Sequence, residues 1–347
     1  MYEQNNAISN HFKTRYKITE EKFKELHKFE LLPGDFIMSG AGTIGRVSLV
    51  PPNISRGVIN QALIRIRLNE TTDSGYFLEW IMSPKMQRKL TETNPGSAMV
   101  NLVPMRELKN WKVKIPTVKE QIKISRLLNT LQKTISLHKR KLKIIDETIH
   151  ELREQLFSTK YIAGKKVKSE KMKLNDFLEE VIEHSNKENQ YPLLSSTNNG
   201  IETRSGRVSG SSNIGYKILR KNQLVLSPQN LWLGNININR DFEVGIVSPS
   251  YKVFDIKNIK IIYLENILKT ERMKYNFDKI SIQGASVVRR NLDMKEFLNL
   301  EVRVTQKNEQ EKLVKTFVQL RNIKFSLRSK IKILEKLKIL YLDKMFI

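Results

Sequence analysis

The nearest approach to a catalytic spacing is Asp241, 14 residues before Asp255-Ile256-Lys257. It resembles the carboxylate and D-x-K arrangement with which some nucleases hold a magnesium ion. The pattern is loose for a chain with 28% charged residues. The matching stretch of the first half, Ile64 to Leu68, offers arginines and no carboxylate, so two solvated strand-end charges are the simpler account. Asn94-Pro95-Gly96-Ser97 comes closest to an adenine-methyltransferase box, but it lacks the second proline and the aromatic that would stack on a flipped base. It reads as a turn. Walker A and G-x-G-x-x-G loops are absent, so phosphate cradling by those devices has no support. With no cysteine, disulfides, thiol nucleophiles and cysteine zinc sites are excluded. His11, His27, His138, His150 and His184 include no H-x-x-x-H or H-E-x-x-H pair, and no metal or cofactor is expected.

Binding chemistry is better represented. Gly40-Ala41-Gly42-Thr43-Ile44-Gly45-Arg46 is too rich in glycine for a strand, and its counterpart Pro228 to Asn235 carries Gln229, Asn230, Trp232 and Asn235. Small residues let backbone approach a partner, while Arg, Asn and Gln make the paired hydrogen bonds that tell guanine from adenine edges. An ordinary tight turn explains the glycine loop at least as well. Asn60 and Gln61 interrupt a β-branched run and either face a partner or pair across a sheet. Gly96 to Leu102, with Ser97, and Gly284 to Leu292, with Arg289 and Arg290, are one element in two copies. Each runs from a small-residue turn to Asn-Leu and then to a predicted strand before a long helix. Arg204, Arg207 and Asn213 lie in or beside the Gly/Ser-rich stretch Ser205 to Ser212, a loop that either orders on DNA or is merely solvated. The candidate DNA contacts are thus Thr43, Arg46, Asn60, Gln61, Ser97, Arg204, Arg207, Asn213, Gln229, Asn230, Arg289 and Arg290, with no catalytic residue among them.

The elements that must position these residues occur twice, 189 residues apart. Glu120-Gln121 recurs as Glu309-Gln310, Ile145 as Leu334 and Leu156-Phe157 as Met345-Phe346. From Pro116 onward Leu128, Ile135, Leu142, Ile149 and Leu156 fall seven apart, as do Ile124, Leu131, His138, Ile145 and Leu152. This is a heptad seam with one polar interruption. A helix from Lys119 to about Ser158 would span roughly 60 Å. In the second copy Leu313, Leu320, Leu327, Leu334 and Tyr341 hold one register, while Phe317, Lys324, Ile331, Lys338 and Met345 mix in lysine. The preserved register favours the two helices packing on each other over each packing on its own domain.

The globular segments predict strands at Phe36 to Ser39, Val58 to Leu68, Gln223 to Leu226, Val244 to Val247 and Tyr251 to Ile256. Helices are predicted at Ser74 to Thr91 and Ile262 to Asn276. The class is α+β: two similar domains, each followed by a long helix, the helices forming an antiparallel coiled coil. The predicted boundaries are a first domain over 1–116, its helix over 117–160, a connector and second domain over 161–306, and the second helix over 307–347. An opening helix predicted around Leu174 to Glu183 has no counterpart in the first copy, whose start is therefore shorter.

Lysine and arginine number 61 against 36 acidic residues, a net charge of +25 and a pI near 9.9. That excess calls for a polyanionic partner, with nucleic acid first. The 39% apolar residues are dispersed, and the start Met1-Tyr2-Glu3-Gln4-Asn5-Asn6 lacks a signal peptide's pattern. A soluble cytoplasmic protein without a membrane partner is expected.

Leu31-Leu32-Pro33-Gly34-Asp35-Phe36-Ile37-Met38-Ser39, Gly42-Thr43-Ile44-Gly45-Arg46, Ile59-Asn60-Gln61-Ala62-Leu63 and Ile115-Pro116, leading through Glu120-Gln121-Ile122 into the long helix, stand in that order. Gly284 to Leu292 and Glu309-Gln310 repeat part of it. In this the chain resembles the specificity subunit of type I restriction-modification systems. The resemblance implies two target-recognition domains separated by two antiparallel helices, each domain reading one half of a bipartite site in double-stranded DNA, with helix length fixing the gap. It also implies that adenine methylation from S-adenosylmethionine and ATP-driven cleavage belong to partner subunits: two methyltransferase subunits, and restriction/translocase subunits. The alternatives are a half-specificity protein with one target, whose first domain serves assembly, and a stand-alone metal-dependent nuclease using Asp241, Asp255 and Lys257.

Overall fold

The computed structural model of the chain describes residues 1–91, 102–157, 161–162, 165–166, 168–198, 200–204, 212–283 and 290–346. They gather into two compact units, Met1–Arg140 with Leu327–Ile347, and Lys141–Ser326.

In the first unit α1 (Gln4–Ser9) and α2 (Glu20–Glu25) precede three strands, β1 (Phe36–Ser39), β2 (Val47–Leu49) and β3 (Leu63–Ile66). These form an antiparallel sheet of order β2-β1-β3. All of β1 is buried because alternate side chains feed different cores. Phe36 and Met38 join Val47, Phe77, Ile81, Met86 and Leu90; Ile37 joins Tyr2, Leu31 and Val50. The predicted strand from Val58 shortens to β3, since Asn60, Gln61 and Ala62 turn the chain. Val58 and Ile59 make isolated bridges to Glu30 and Tyr2.

The predicted helix Ser74 to Thr91 is two helices, α3 (Ser74–Ile81) and α4 (Pro84–Lys89). Ser83 accepts the amide of Met86, and Pro84 fills the first turn of α4, a helix start that cannot also be a helix interior. A short α5 (Met105–Lys109) follows, then the long α6 (Val118–Phe157). Thr117 opens α6 with its N–H and Oγ both donating to Glu120 Oε2, at 3.0 and 2.8 Å. Gln121, fully buried, fastens that start to the body. Its Nε2 donates to the carbonyls of Thr71 and Pro116, and its Oε1 accepts from Asp73 N at 2.8 Å.

The second unit opens with the hairpin β4 (Tyr161–Ile162) and β5 (Lys165–Lys166), then β6 (Ser169–Lys173) and β7 (Leu178–Glu180). The helix predicted at Leu174 to Glu183 is therefore corrected to a 3-10 turn, Leu174–Asp176, and the strand β7. Next come β8 (Leu194–Thr197), β9 (Gly200–Thr203), β10 (Lys217–Arg220) and β11 (Leu224–Leu226). The 3-10 helix Pro228–Leu233 then leads to β12 (Ile236–Ile238), β13 (Val244–Val247) and β14 (Lys252–Ile256). The main sheet has the order β12-β11-β14-β7, which is the first unit's order with one strand added. Its central strand divides its side chains in the same way: Leu224 and Leu226 face Phe254, Tyr263, Leu264, Phe277 and Phe297, while Val225 meets Leu194, Leu219, Val247 and Val253.

The predicted helix at Ile262 likewise splits, at Thr270, into α7 (Ile261–Leu268) and α8 (Glu271–Lys279). The order closes with β15 (Ser281–Gln283), β16 (Arg290–Leu292), α9 (Met294–Asn299), β17 (Glu301–Thr305) and α10 (Lys307–Met345). β17 is the strand predicted ahead of the second long helix, and it pairs with β6. The corresponding residues 111–117 form no strand, a correction to the first copy.

Both long helices contribute to both units. In the first unit Lys139 Nζ lies 2.7 Å from Glu335, and Lys338 Nζ donates to Gln132 Oε1 at 3.0 Å. In the second, Asp146 pairs with Lys324, and Phe157 packs on Phe317 with ring centroids 5.7 Å apart. Rising numbers on α6 thus meet falling numbers on α10 within each unit. The lysines in the heptad register of α10 are accounted for: Lys324 faces Asp146 and Lys338 faces Glu79.

Candidate nucleic-acid interface

The glycine loop of the first unit is shaped by Ser39 at the end of β1. The Ser39 N–H donates to the Arg46 carbonyl, and Ser39 Oγ accepts from Arg46 N, both at 3.0 Å. Ser39 Oγ also donates to the carbonyl of Thr43. Gln87 of α4 closes the loop from behind, Nε2 donating to the carbonyls of Gly45 at 3.0 Å and Ile81 at 2.9 Å. Gly45 has φ +73°, a conformation that favours glycine, and an added Cβ would stand 2.9 Å from Gln87 Oε1 and displace that side chain. The cinched loop leaves Thr43 and Arg46 exposed. Among the described residues, no carboxylate pairs with the Arg46 guanidinium.

Gln61 is exposed on the next turn. Asn60 spends its Oδ1 on Ala62 N at 3.1 Å, which holds the turn and leaves its amide nitrogen as the end available to a partner. Ser97, Arg207 and Arg289 lie outside the described residues, as do Asn94 to Gly96.

In the second unit the counterpart loop is not irregular but a 3-10 helix, closed by Gly234 at φ +83°. Gln229 is exposed, Asn230 half-buried and bonded to Ser227 Oγ at 3.3 Å. Arg290 of β16 lays its guanidinium over the Trp232 ring, 4.2 Å from the centroid, while its Nη1 donates to Asp278. Trp232 Nε1 and Arg290 Nε are buried without a hydrogen-bond partner. Two buried donors without acceptors, one of them on the stacked guanidinium itself, thus lie at this contact. To read a guanine edge in bidentate fashion, Arg290 must exchange Asp278 for the base. The stack was not legible beforehand, since Trp232 and Arg290 lie far apart in sequence; an aromatic in one polar loop and paired arginines in another were the available hints.

Arg204 is exposed at the end of β9. Asn213 is a different case, being 2% exposed. Its Nδ2 donates to Asn189 Oδ1 at 2.8 Å and its Oδ1 accepts from Asn189 N at 2.7 Å. With both ends of the amide engaged in locking a turn, Asn213 fits a structural place rather than base reading.

The nuclease-like trio disperses into separate contacts. Asp241 accepts from Arg321 at 2.6 Å, Asp255 accepts from Gln223 at 2.9 Å, and Lys257 pairs with Glu179. The described residues hold no group of three His, Asp or Glu placed to bind a metal ion, and no helix among them is long and apolar enough to cross a membrane.

Solved structures that share this fold include two with TM-scores above 0.5. One is the type I restriction-modification S subunit from M. genitalium, 14% identical, with 92% of this chain and 85% of that chain covered at a TM-score of 0.59. The other is a chain from a structure on complex assembly and conformational transition of the type I R-M system, 15% identical, with coverages of 91% and 82% and a TM-score of 0.54. At such identities the likeness is one of fold. No curated protein matches the chain. Residues 2–147 match the model of the type I restriction modification DNA specificity domain.

Proposed function

We propose that the protein is the DNA sequence-specificity subunit of a type I restriction-modification complex, and that it reads a two-part site. The observation that carries this is the duplicated construction of its recognition bodies. Each unit sets a β-sheet with the same three-strand order against a Tyr-bearing helix and clamps a long helix through a buried glutamine. A single chain with two such bodies and a net charge of +25 has the means to contact phosphates broadly and bases at two places.

In this reading the recognition domains span 1–116 and 161–306, and the helices of 117–160 and 307–347 pack antiparallel as a spacer. Thr43, Arg46, Asn60, Gln61 and Ser97 serve one half-site. Arg204, Arg207, Gln229, Asn230, Arg289 and Arg290 serve the other. The chain contributes no catalytic group. Two methyltransferase subunits dock on it and methylate adenine, restriction/translocase subunits join them, and the complex works in the cytoplasm.

The test is long-read mapping of modified adenines in cells that carry the methyltransferase subunits with and without this chain. A bipartite motif that depends on the chain is the expected result. A one-part motif would instead support a half-specificity protein, and no chain-dependent motif would remove the proposal.

A further inference from the structure

The second unit contains a cavity of about 190 Å³ lined by His150 and Arg153 of α6, Asn198, Leu233, Gly234, Leu268, Lys269 and Lys274. Among the described residues two lysines and an arginine line it and no carboxylate does. Arg153 Nε donates to Asn266 Oδ1 at 3.2 Å, and Lys269 Nζ donates to Asn237 Oδ1 at 2.9 Å, so both reach the cavity from fixed positions. Lys274 is braced by Glu271 at 2.6 Å. Its stem passes so close to Gly234 that an added Cβ there would lie 3.2 Å from Lys274 Cε. Burial depresses Lys269, and the charge of Arg153 depresses it further; Glu265, 3.8 Å away, offsets part of this.

The fold does not require these charges. Tyr76 and Tyr263, Ser83 and Thr270, and Met86 and Met273 correspond at a spacing of 187 residues, and Phe157 and Phe346 at 189. On those spacings the first unit places Ile339 for His150, Leu342 for Arg153, Met82 for Lys269 and Gln87 for Lys274. The same construction stands there with no charge at any of the four positions, and Gln87 packs against Gly45 where Lys274 packs against Gly234.

We infer that this cavity is a phosphate-binding site present in one recognition unit and not in the other, formed by Arg153, Lys269 and Lys274 with His150 at its mouth. A phosphate group, singly charged as a diester and up to doubly charged when free, offsets the repulsion between the clustered cations and accepts several charge-assisted hydrogen bonds at once. The chemistry is that of a tetrahedral phosphate, whether free or on a DNA backbone.

The test is calorimetric titration of the full chain with inorganic phosphate at constant ionic strength. Lys274→Gln and the triple variant Arg153→Leu, Lys269→Met, Lys274→Gln are compared with the native chain, each substitution being the residue that the first unit uses. Saturable binding by the native chain, weakened roughly tenfold by Lys274→Gln and lost in the triple variant, is expected. Absence of saturable binding by the native chain, or identical isotherms in all three, overturns the inference. Should the triple variant fail to fold by circular dichroism, Lys274→Gln alone decides, since that side chain is 41% exposed and its replacement spares the core. Adding saturating duplex DNA identifies the source: displacement of phosphate assigns the site to the backbone, and retention assigns it to a free anion. None of these readouts depends on the methylation motif, so this inference and the proposed function can fail separately.

Discussion

Tyr76 meets Phe346 edge-on with ring centroids 5.3 Å apart, and Tyr263 meets Phe157 in the same way at 5.2 Å. Each tyrosine belongs to one repeat's globular body, and each phenylalanine to the end of the opposite repeat's long helix. Every unit is thus completed by a helix end from the other half of the sequence. In the first unit this contact organises a core of Tyr76, Leu128 and Phe346, with Trp80, Ile124, Tyr341 and Leu342 around it.

Truncating either phenylalanine should therefore open its unit. Phe346 is 5% exposed, and Phe346→Ala removes a buried ring, a loss of about 3 to 5 kcal/mol. Urea unfolding followed by circular dichroism should show the midpoint falling for Phe346→Ala and for Phe157→Ala. Native-like midpoints in both would mean that the helix ends are not docked as described.

Much of this construction was legible in the sequence. The 189-residue repeat and the heptads located both long helices to within a residue or two, because a long run of one period leaves few alternatives. The short elements were harder to read. Ser83 and Thr270 restart helices inside continuous apolar patterns, and hydropathy does not register a cap. β7 and β17 depend on partners distant in sequence, so Leu178–Glu180 resembled a helix and residues 111–117 a strand. At the candidate interface, exposure of Thr43, Arg46 and Gln229 followed from composition. The burial of Asn213 did not, since a Gly/Ser-rich neighbourhood gives no sign of the Asn189 turn that captures its amide.

The two polar loops should act on different half-sites. Arg46 is exposed and anchored through its backbone alone, so Arg46→Ala should leave the fold intact and relax recognition in one half of the motif. Losing one bidentate base contact costs about 1 to 3 kcal/mol of discrimination. Arg290→Ala should relax the other half and also free Asp278 and Trp232. Methylation maps of the two variants check this, and maps identical to the native one would remove both residues from the reading surface.

Asp35 supplies a pH dependence. Burial pushes its carboxyl up, but Arg67, at 2.6 Å, and the Leu32 N–H, at 2.8 Å, outweigh burial and hold it below the usual carboxylate range. A depressed folded-state value means that the stabilisation is fully present above the unfolded aspartate value of about 3.9 and is lost as pH falls through the folded value. Urea midpoints measured from neutral pH down into the acid range should fall less steeply for Asp35→Asn than for the native chain, from a lower starting point. An unchanged acid limb would mean that the Arg67 pair does not contribute.

The spacer model makes a geometric demand on α6 and α10 together. Lengthening one helix alone would shift Lys139 from Glu335, or Asp146 from Lys324, and break the facing register. A compensated change inserts four residues in each helix, between Lys139 and Asp146 and between Lys324 and Glu335. Four residues add about 6 Å of helix, and duplex DNA rises about 3.4 Å per base pair. The gap between the two methylated halves should therefore grow by about two base pairs while the bases read in each half stay the same. A mapped motif with the native gap would show that the helices do not set the distance.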